Sequence, residues 1–482
     1  MTKQSRTIII IMIALAFIIT AYTVTAIWQR KDVPVENSAP AEPSVRIGNL
    51  SSSRLVRIES PSVTLENRGG KWEVVSLAGK TPVNEIELDQ WQTSSLAWLL
   101  AGVLAESIVE KEPQDIFVYG FENPSARVTV TDTDGNQAVY IRGDMTPSRL
   151  TYYVMEEGDP KVYTVSIKTA GDFDFTIDEI RQRSLFDEID LQTLNSFRLE
   201  SQNTNIEIVL KPGVVPSHLL TSSSRHIISS PYRLFRGADD EALHKNVLEH
   251  IQNLQIYEFI DDNPASLVPY GLDQPARIYI SSITDVQPPA NGQQQSLDLL
   301  LGNSLNNGLR YAKLASKPGV FTVAGIDRIT SIKPFTLVDK FALLVDINDV
   351  NRVTVRGGPQ FLSAEIRGHE PKSGGGSSAG NDLIFFLNGR QAQDASFRRW
   401  YQSVIGLLFD AEIPGAFVQT DGTIITIEYE LNIYPGASAS MSLIPYNRDF
   451  YAVSQSGAAE FLISRNQVNR IWETADSVIF AE

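Results

Sequence analysis

The sequence predicts an α+β protein: an N-terminal transmembrane helix followed by three tandem related α+β units, each an antiparallel sheet with a packed helix. Three observations predict it. The chain opens on an unbroken apolar stretch, one ordered set of landmarks then recurs at intervals of roughly 150 residues, and within each recurrence alternating strands flank one apolar helical run.

The opening stretch comes first. From Thr7 to Trp28 no residue is charged and most are aliphatic, a length that crosses about 30 Å of hydrocarbon as a helix. Lys3 and Arg6 precede it, and Arg30 and Lys31 follow. The expected layout is a cytoplasmic stub at 1–6, an anchor at 7–28 and a single-pass cell-membrane protein whose C-terminal body is extracytoplasmic. Val24-Thr25-Ala26 also offers the small residues of a cleavage site, so whether the segment is removed stays open. Pro34, Pro40 and Pro43, among Glu36, Asn37, Ser38 and Glu42, mark 29–45 as a polar linker.

The chain carries 41 Lys plus Arg against 57 Asp plus Glu, a net charge of −16 over 482 residues. The first 31 residues hold four of the basic side chains and no acidic one, which leaves the body at −20. So acidic a body is a poor partner for phosphate backbones, and no nucleic-acid role is expected. The absence of cysteine excludes disulfides, thiolate metal sites and thiol catalysis. Each unit must then fold by core burial alone, for which about 145 residues suffice.

The repeat is carried by Tyr119-Gly120-Phe121-Glu122-Asn123-Pro124, which returns as Tyr270-Gly271-Leu272-Asp273-Gln274-Pro275. Alternating apolar residues follow each copy, Val128 and Val130 in one and Ile278 and Ile280 in the other. Then come a strand closed by Gly143 or Gly302 and a hairpin, Tyr152-Tyr153-Val154 with Val162-Tyr163-Thr164-Val165, or Tyr311 to Leu314 with Val320-Phe321-Thr322-Val323. The hairpin recurs a third time as Tyr451-Ala452-Val453 and Phe461-Leu462-Ile463, where Thr420-Asp421-Gly422 replaces the hexapeptide. Helical stretches are expected at 96–109, 243–254 and 397–409, and opening strands at 55–65, 197–210 and 353–366. The units run at 46–186, 187–339 and 340–482, the last degenerate. The Ser/Gly-rich run 373–380 and the Gln/Pro-rich run 286–296 read as inserted loops. Within the hexapeptide, Gly120 and Gly271 permit a backbone angle closed to other residues, and Pro124 and Pro275 stiffen the approach to the next strand. Tyr119 and Tyr270 are the candidates for a binding lip, should the turn be more than structural.

These landmarks, together with Gly69-Gly70-Lys71-Trp72-Glu73-Val74 at the close of the opening strands, resemble the domain-of-unknown-function family DUF4340. The likeness covers about residues 50–340 and is partial in the third unit. It implies a single-span extracytoplasmic bacterial protein, an accessory component associated with gliding-type ABC export systems.

Catalytic and metal signatures are sparse. His218, His226, His244, His250 and His369 are scattered, and His244 and His250 are spaced wrongly for one helix face. Asp132-Thr133-Asp134-Gly135 lacks the glutamate of a calcium loop and reads as a hairpin turn. Asp172 and Asp174, with Phe173 and Phe175 opposite, read as an amphipathic edge strand. No nucleophile elbow, phosphate loop or dinucleotide fingerprint is present. No cofactor, metal or reaction is therefore expected. The leading expectation is a membrane-anchored, non-enzymatic scaffold with protein partners in a membrane complex. The alternative is an envelope module binding peptidoglycan, glycan or lipid.

Overall fold

The computed structural model describes residues 45–482 apart from 187–191, 203, 221, 284–293, 369–382, 416 and 418–420. The stub, the anchor at 7–28, the linker as far as residue 44, His369, and the loops 373–380 and most of 286–296 lie outside the described residues. The chain divides into two compact units that meet in sequence at Gln182 and Arg183.

The expected α+β class is corrected. The protein is mostly antiparallel sheet, 43% strand against 21% helix, in four sheets among the described residues. Among the described residues no helix is long and apolar enough to cross a membrane. The excess of strand has a local cause. The apolar stretch expected as a helix over 96–109 is helical only as far as Leu100, and beyond Gly102 it becomes two short strands in which exposed Leu104 alternates with buried Val103 and Ala105.

In the first unit β1 (Val45–Ile47), β2 (Leu55–Glu59), β3 (Val63–Arg68) and β4 (Lys71–Leu77) lead to helix α1 (Gln90–Leu100). β5 (Val103–Ala105), β6 (Ser107–Glu110), β7 (Ala126–Asp132), β8 (Gln137–Met145), β9 (Thr151–Glu156) and β10 (Val162–Ser166) follow. Among the described residues β1 pairs only with β5, and the rest form a sheet of order β4-β3-β2-β7-β8-β9-β10-β6. Period-two burial sets which face is core: Val63 and Leu65 on β3, and Val128 and Val130 on β7, all point inward. Asp89 caps α1, accepting from the backbone N–H groups of Trp91 and Gln92 at 3.0 Å each.

The second unit carries two sheets. The first contains β11 (Leu194–Glu200), β12 (Asn205–Leu210), β13 (His226–Ser230), β14 (Arg236–Gly237), β15 (Ile256–Asp261), β16 (Ala276–Ile283), β17 (Gln294–Ser304), β18 (Leu309–Leu314) and β19 (Val320–Ala324). Helix α2, residues 240–252, precedes β15 and contains a π-helical turn at His244–Leu248. The second sheet contains β20 (Val350–Gly357), β21 (Gln360–Arg367), β22 (Ile384–Leu387), β23 (Arg390–Ala392), β24 (Ala411–Glu412), β25 (Ile425–Leu431), β26 (Ser438–Pro445), β27 (Phe450–Gln455) and β28 (Ala458–Ser464). It also carries helices α3 (Asp394–Ile405) and α4 (Arg465–Asp476). The orders are β14-β13-β12-β11-β16-β17-β18-β19-β15 and β23-β22-β21-β20-β25-β26-β27-β28-β24. Both repeat the order of the eight-stranded sheet with one strand added next to the three opening ones.

These two sheets share one continuous core, from Phe186 to Val478 in sequence. The segment 337–342 stitches them together. Asp239 donates its N–H to Leu337 O and Asp339 to Gly237 O, both at 2.8 Å, beside β14. A few residues on, Ala342 donates to Leu407 O at 2.9 Å and Phe409 to Lys340 O at 2.8 Å, just ahead of β24. The backbone groups of one short segment thereby satisfy an edge of each sheet.

On α3, Phe397, Trp400, Tyr401 and Val404 make a stripe at helical spacing and are all buried. Phe397 stacks on Phe385 of β22 with centroids 4.5 Å apart. Phe397→Ala is expected to destabilise the second unit by about 3–5 kcal/mol, read as a lowered denaturation midpoint in urea. A loss below about 1 kcal/mol would mean that α3 is not packed as described.

Candidate functional site

The Tyr-Gly turn is built the same way in the first two repeats. A 3-10 turn, Phe117–Tyr119 or Val268–Tyr270, ends in a glycine with positive φ, 81° at Gly120 and 66° at Gly271. The close approach of a second glycine fixes it. A Cβ on Gly143 would lie 2.1 Å from the carbonyl oxygen of Tyr119, and one on Gly302 would lie 2.0 Å from that of Tyr270. The strand-closing glycines noted in the sequence are therefore the seats of the turn.

Each tyrosine then ties the turn to the sheet's last strand. Tyr119 donates its hydroxyl to Glu110 Oε2 at 2.6 Å, and Tyr270 donates to Asp261 Oδ2 at 3.3 Å. The rings meet Tyr153 and Tyr311 edge-on, at 4.9 and 5.2 Å. Pro124 and Pro275 lead into β7 and β16. The third repeat has Gly422 at φ 142° ahead of β25, and Thr420 lies outside the described residues.

A second site lies where the two sheets of the second unit join. The strap 231–236 runs from β13 to β14 across the end of the other sheet. Arg236, 3% exposed, donates through Nη2 to Glu460 Oε2 at 2.9 Å and through Nη1 to Gln455. Its guanidinium lies over the rings of Phe461 and Phe409, 4.8 and 6.0 Å from their centroids. Tyr232 donates to Glu412, and the N–H of Arg233 to Glu460 Oε1 at 2.6 Å. Phe461 is the hub, with Tyr232, Phe335 and Phe409 packed around it at 5.0, 5.7 and 4.4 Å.

On one side of the strap is an open cleft of about 670 Å³ between Tyr232, Arg233, Glu412, Phe417 and Glu460. On the other is a cavity of about 30 Å³, room for a single water molecule. It is lined in part by His218, Ser222, Arg236, Asp339 and Gln455. His218 Nε2 lies 2.8 Å from Phe235 O, so the neutral ring carries its proton there and leaves Nδ1 as an acceptor. That Nδ1 and the Nε of Arg236 are buried without a hydrogen-bond partner among the described residues. Burial pushes the His218 pKa down and that of Asp339 up.

The remaining sequence candidates are structural. Asp132 accepts from the N–H groups of Asp134 and Asn136 at 2.9 Å and from the Asn136 amide at 3.0 Å, which closes a hairpin turn. The expected edge strand at Asp172 and Asp174 is corrected: the segment is a 3-10 turn that follows helix Ile167–Gly171 and turns Phe173 into the core. His226, fully buried, bridges Asp240 Oδ1 and Leu194 O at 3.1 and 3.0 Å. His244 lies 3.3 Å from Glu249. Among the described residues no group of three or more His, Asp or Glu is placed to hold a metal ion. Sequence reading weighed His218 only as a metal ligand and missed Arg236 and Glu460, because the bonded partners of Arg236 stand 219 and 224 residues away along the chain.

One family model, described as Domain of unknown function (DUF4340), matches the chain twice, over residues 81–275 and 228–378. Together the matches cover more than half of the chain, and they begin ahead of α1 and ahead of α2 respectively. Among curated proteins and among solved structures, none matches.

Arg236→Met leaves the partly buried Glu460 without its cation and is expected to cost about 3 kcal/mol, whereas Arg236→Met with Glu460→Leu recovers most of that loss. Equal losses in single and double variants, by urea denaturation, would contradict a paired role. His218 favours its neutral form in the fold, so below its ordinary value of 6.5 the unfolded chain takes up a proton that the folded one resists. Stability should fall as pH drops from 6.5, and His218→Gln should flatten that slope. An unchanged slope would contradict the assignment.

Proposed function

The chain belongs to the DUF4340 family, and from that premise we propose that it is a membrane-held, extracytoplasmic scaffold or accessory subunit of an ABC-type export or gliding-type complex, binding rather than catalysing. What supports the reading is a recurring sheet edge, with no strand beyond β6 among the described residues and, on β15, uncovered past Tyr257, since Arg183 bonds the backbone of Ile256 and Tyr257. β6 ends the sheet of the first unit, and β15 ends its counterpart in the second. Each is joined to a Tyr-Gly turn through Tyr119 or Tyr270. Both turns display apolar side chains, Phe117 (59% exposed) and Val118 (67%) on one and Val268 on the other. Exposed Val109 lies on β6, and exposed Tyr257 and Ile260 lie on β15. In the third repeat the matching edge, β24, has the 231–236 strap against it. An edge strand flanked by exposed apolar residues is a template for a strand of another protein. The uncharged run 7–28 supplies the tether, and a body at −20 would be held off anionic headgroups.

A second reading, an envelope module for peptidoglycan, glycan or lipid, is favoured by the cleft at Tyr232. The side chain of Arg233 there has no ion-pair or hydrogen-bond partner among the described residues, and Phe417 faces Tyr446. Retention on isolated cell wall at low salt would support it.

For the leading reading, the full chain purified from membranes in mild detergent should bring with it an ABC-type permease or ATPase. Val118→Asp should cut that recovery several-fold with an unchanged circular dichroism spectrum. Repeated recovery with no transporter component would sink the scaffold reading.

A further inference from the structure

The three repeats place a helix at the same point in the chain, and the outward faces of these helices differ. α2 shows Glu241, Lys245 and Glu249 to solvent, and α3 shows Asp394, Arg398 and Arg399. α1 contains no charged residue at all, and its outward face carries Trp91 (78% exposed) and Trp98 (65%), seven positions apart, with Ser94 and Ser95 between them. Two indoles two turns apart lie on one side of the helix. Neither is needed for the core, which α1 reaches through Thr93, Leu96, Ala97 and Leu100.

The place where the chain joins the fold bears on what covers this face. β1 is its first described strand, and it pairs with β5, which begins three residues beyond α1. Leu50 N–H then donates to Ala101 O at 3.0 Å, directly behind the helix. Only 16 residues, 29–44, separate Trp28 from Val45. A polar segment of that length spans roughly 60 Å when fully extended and about 20–25 Å as a coil. Any bilayer holding residues 7–28 is thus within short reach of α1. Most of the body's surface, at −20, is repelled by lipid phosphates, but α1 presents no charge, and tryptophan is the side chain that settles best at a headgroup boundary. Leu104 on β5 adds an exposed apolar residue at the same junction, and Arg46, opposite it on β1, adds a cation.

We propose that the Trp91–Trp98 face of α1 rests on the headgroup layer of the membrane that holds the chain's own N-terminal segment, docking the first unit against lipid. The inference rests on the tethering part of the proposed function. Its consequence is that the first unit is oriented at the bilayer surface and does not swing freely on its linker.

The chain has no cysteine, so single labels report cleanly. A nitroxide is placed at Ser94→Cys, with Lys245→Cys on α2 as the aqueous control, in full-length protein reconstituted into phosphatidylcholine vesicles. Flotation is measured alongside collision rates with oxygen and with a water-soluble nickel chelate. The expected result is flotation, with nickel accessibility at 94 several-fold below that at 245 and oxygen accessibility above it. Trp91→Ser with Trp98→Ser should return the label to water at an unchanged Tm, since both rings are exposed. Flotation with a fully aqueous label at 94 overturns lipid docking and leaves the tether standing. A label shielded from both reagents, or only when another protein co-purifies, shows that protein covers the face and also overturns it. Failure to float overturns the tether and the docking together.

Discussion

One buried guanidinium holds the larger unit in its form. Arg236 lies at the edge of one sheet, and its acceptors, Glu460 and Gln455, belong to the other. Burial works against its charge, so the fold must supply the carboxylate, the amide and the two aromatic faces in place, or leave an unpaired cation in a water-poor junction. That requirement accepts only one relative placement of the two sheets. Gln455 extends the constraint by donating to Ala342 O at 2.7 Å, on the same segment whose backbone stitches both edges. Lys340, in that segment, donates to Val338 O at 3.2 Å over the ring of Phe335, and burial lowers its pKa too. Two cations, an amide and a cluster of phenylalanines therefore act as one connected polar and aromatic joint.

The joint also explains why the repeats are not equivalent at their surfaces. All three sheets end in a short strand that follows the helix, and that end carries unpaired backbone groups unless something lies on it. At β24 the strap covers it, with Tyr232 and Arg233 bound to Glu412 and Glu460. At β15 the segment at Arg183 covers only the start of the edge, bonding Ile256 and Tyr257, and the positions beside the rest of it, like those beside β6, are apolar and exposed. Divergence of this kind, with a common interior order and different exteriors, suits a protein that presents several contact surfaces from one repeated frame.

The repeat and its turn were legible because they depend on local chemistry. A glycine at positive φ beside a second glycine that admits a carbonyl oxygen leaves a mark within some 30 residues, as Gly120 and Gly143 do. The opening hairpins were visible through period-two alternation. What misled was the run 96–109, whose composition suits helix or strand. Gly102 and the pairing of Val103 to Ala105 with β1 decide in favour of strand, and that partner lies more than 50 residues upstream. The stretch at Asp172 alternates as a strand would, yet the Ser166 side chain caps a helix just before it. The joint at Arg236 left no trace in the sequence, since nothing near Arg236 distinguishes it from a surface arginine.

Hydrogen exchange of the full chain, followed by mass spectrometry, tests the joint most directly. If the two sheets of the larger unit are one body, the amides of Asp239, Asp339, Ala342 and Phe409 should exchange as slowly as those of β16 and β25 in the sheet centres. Rapid exchange at 337–343 and 407–411 while both sheet centres stay protected would mean that the sheets are separate bodies merely in contact, and would contradict the account.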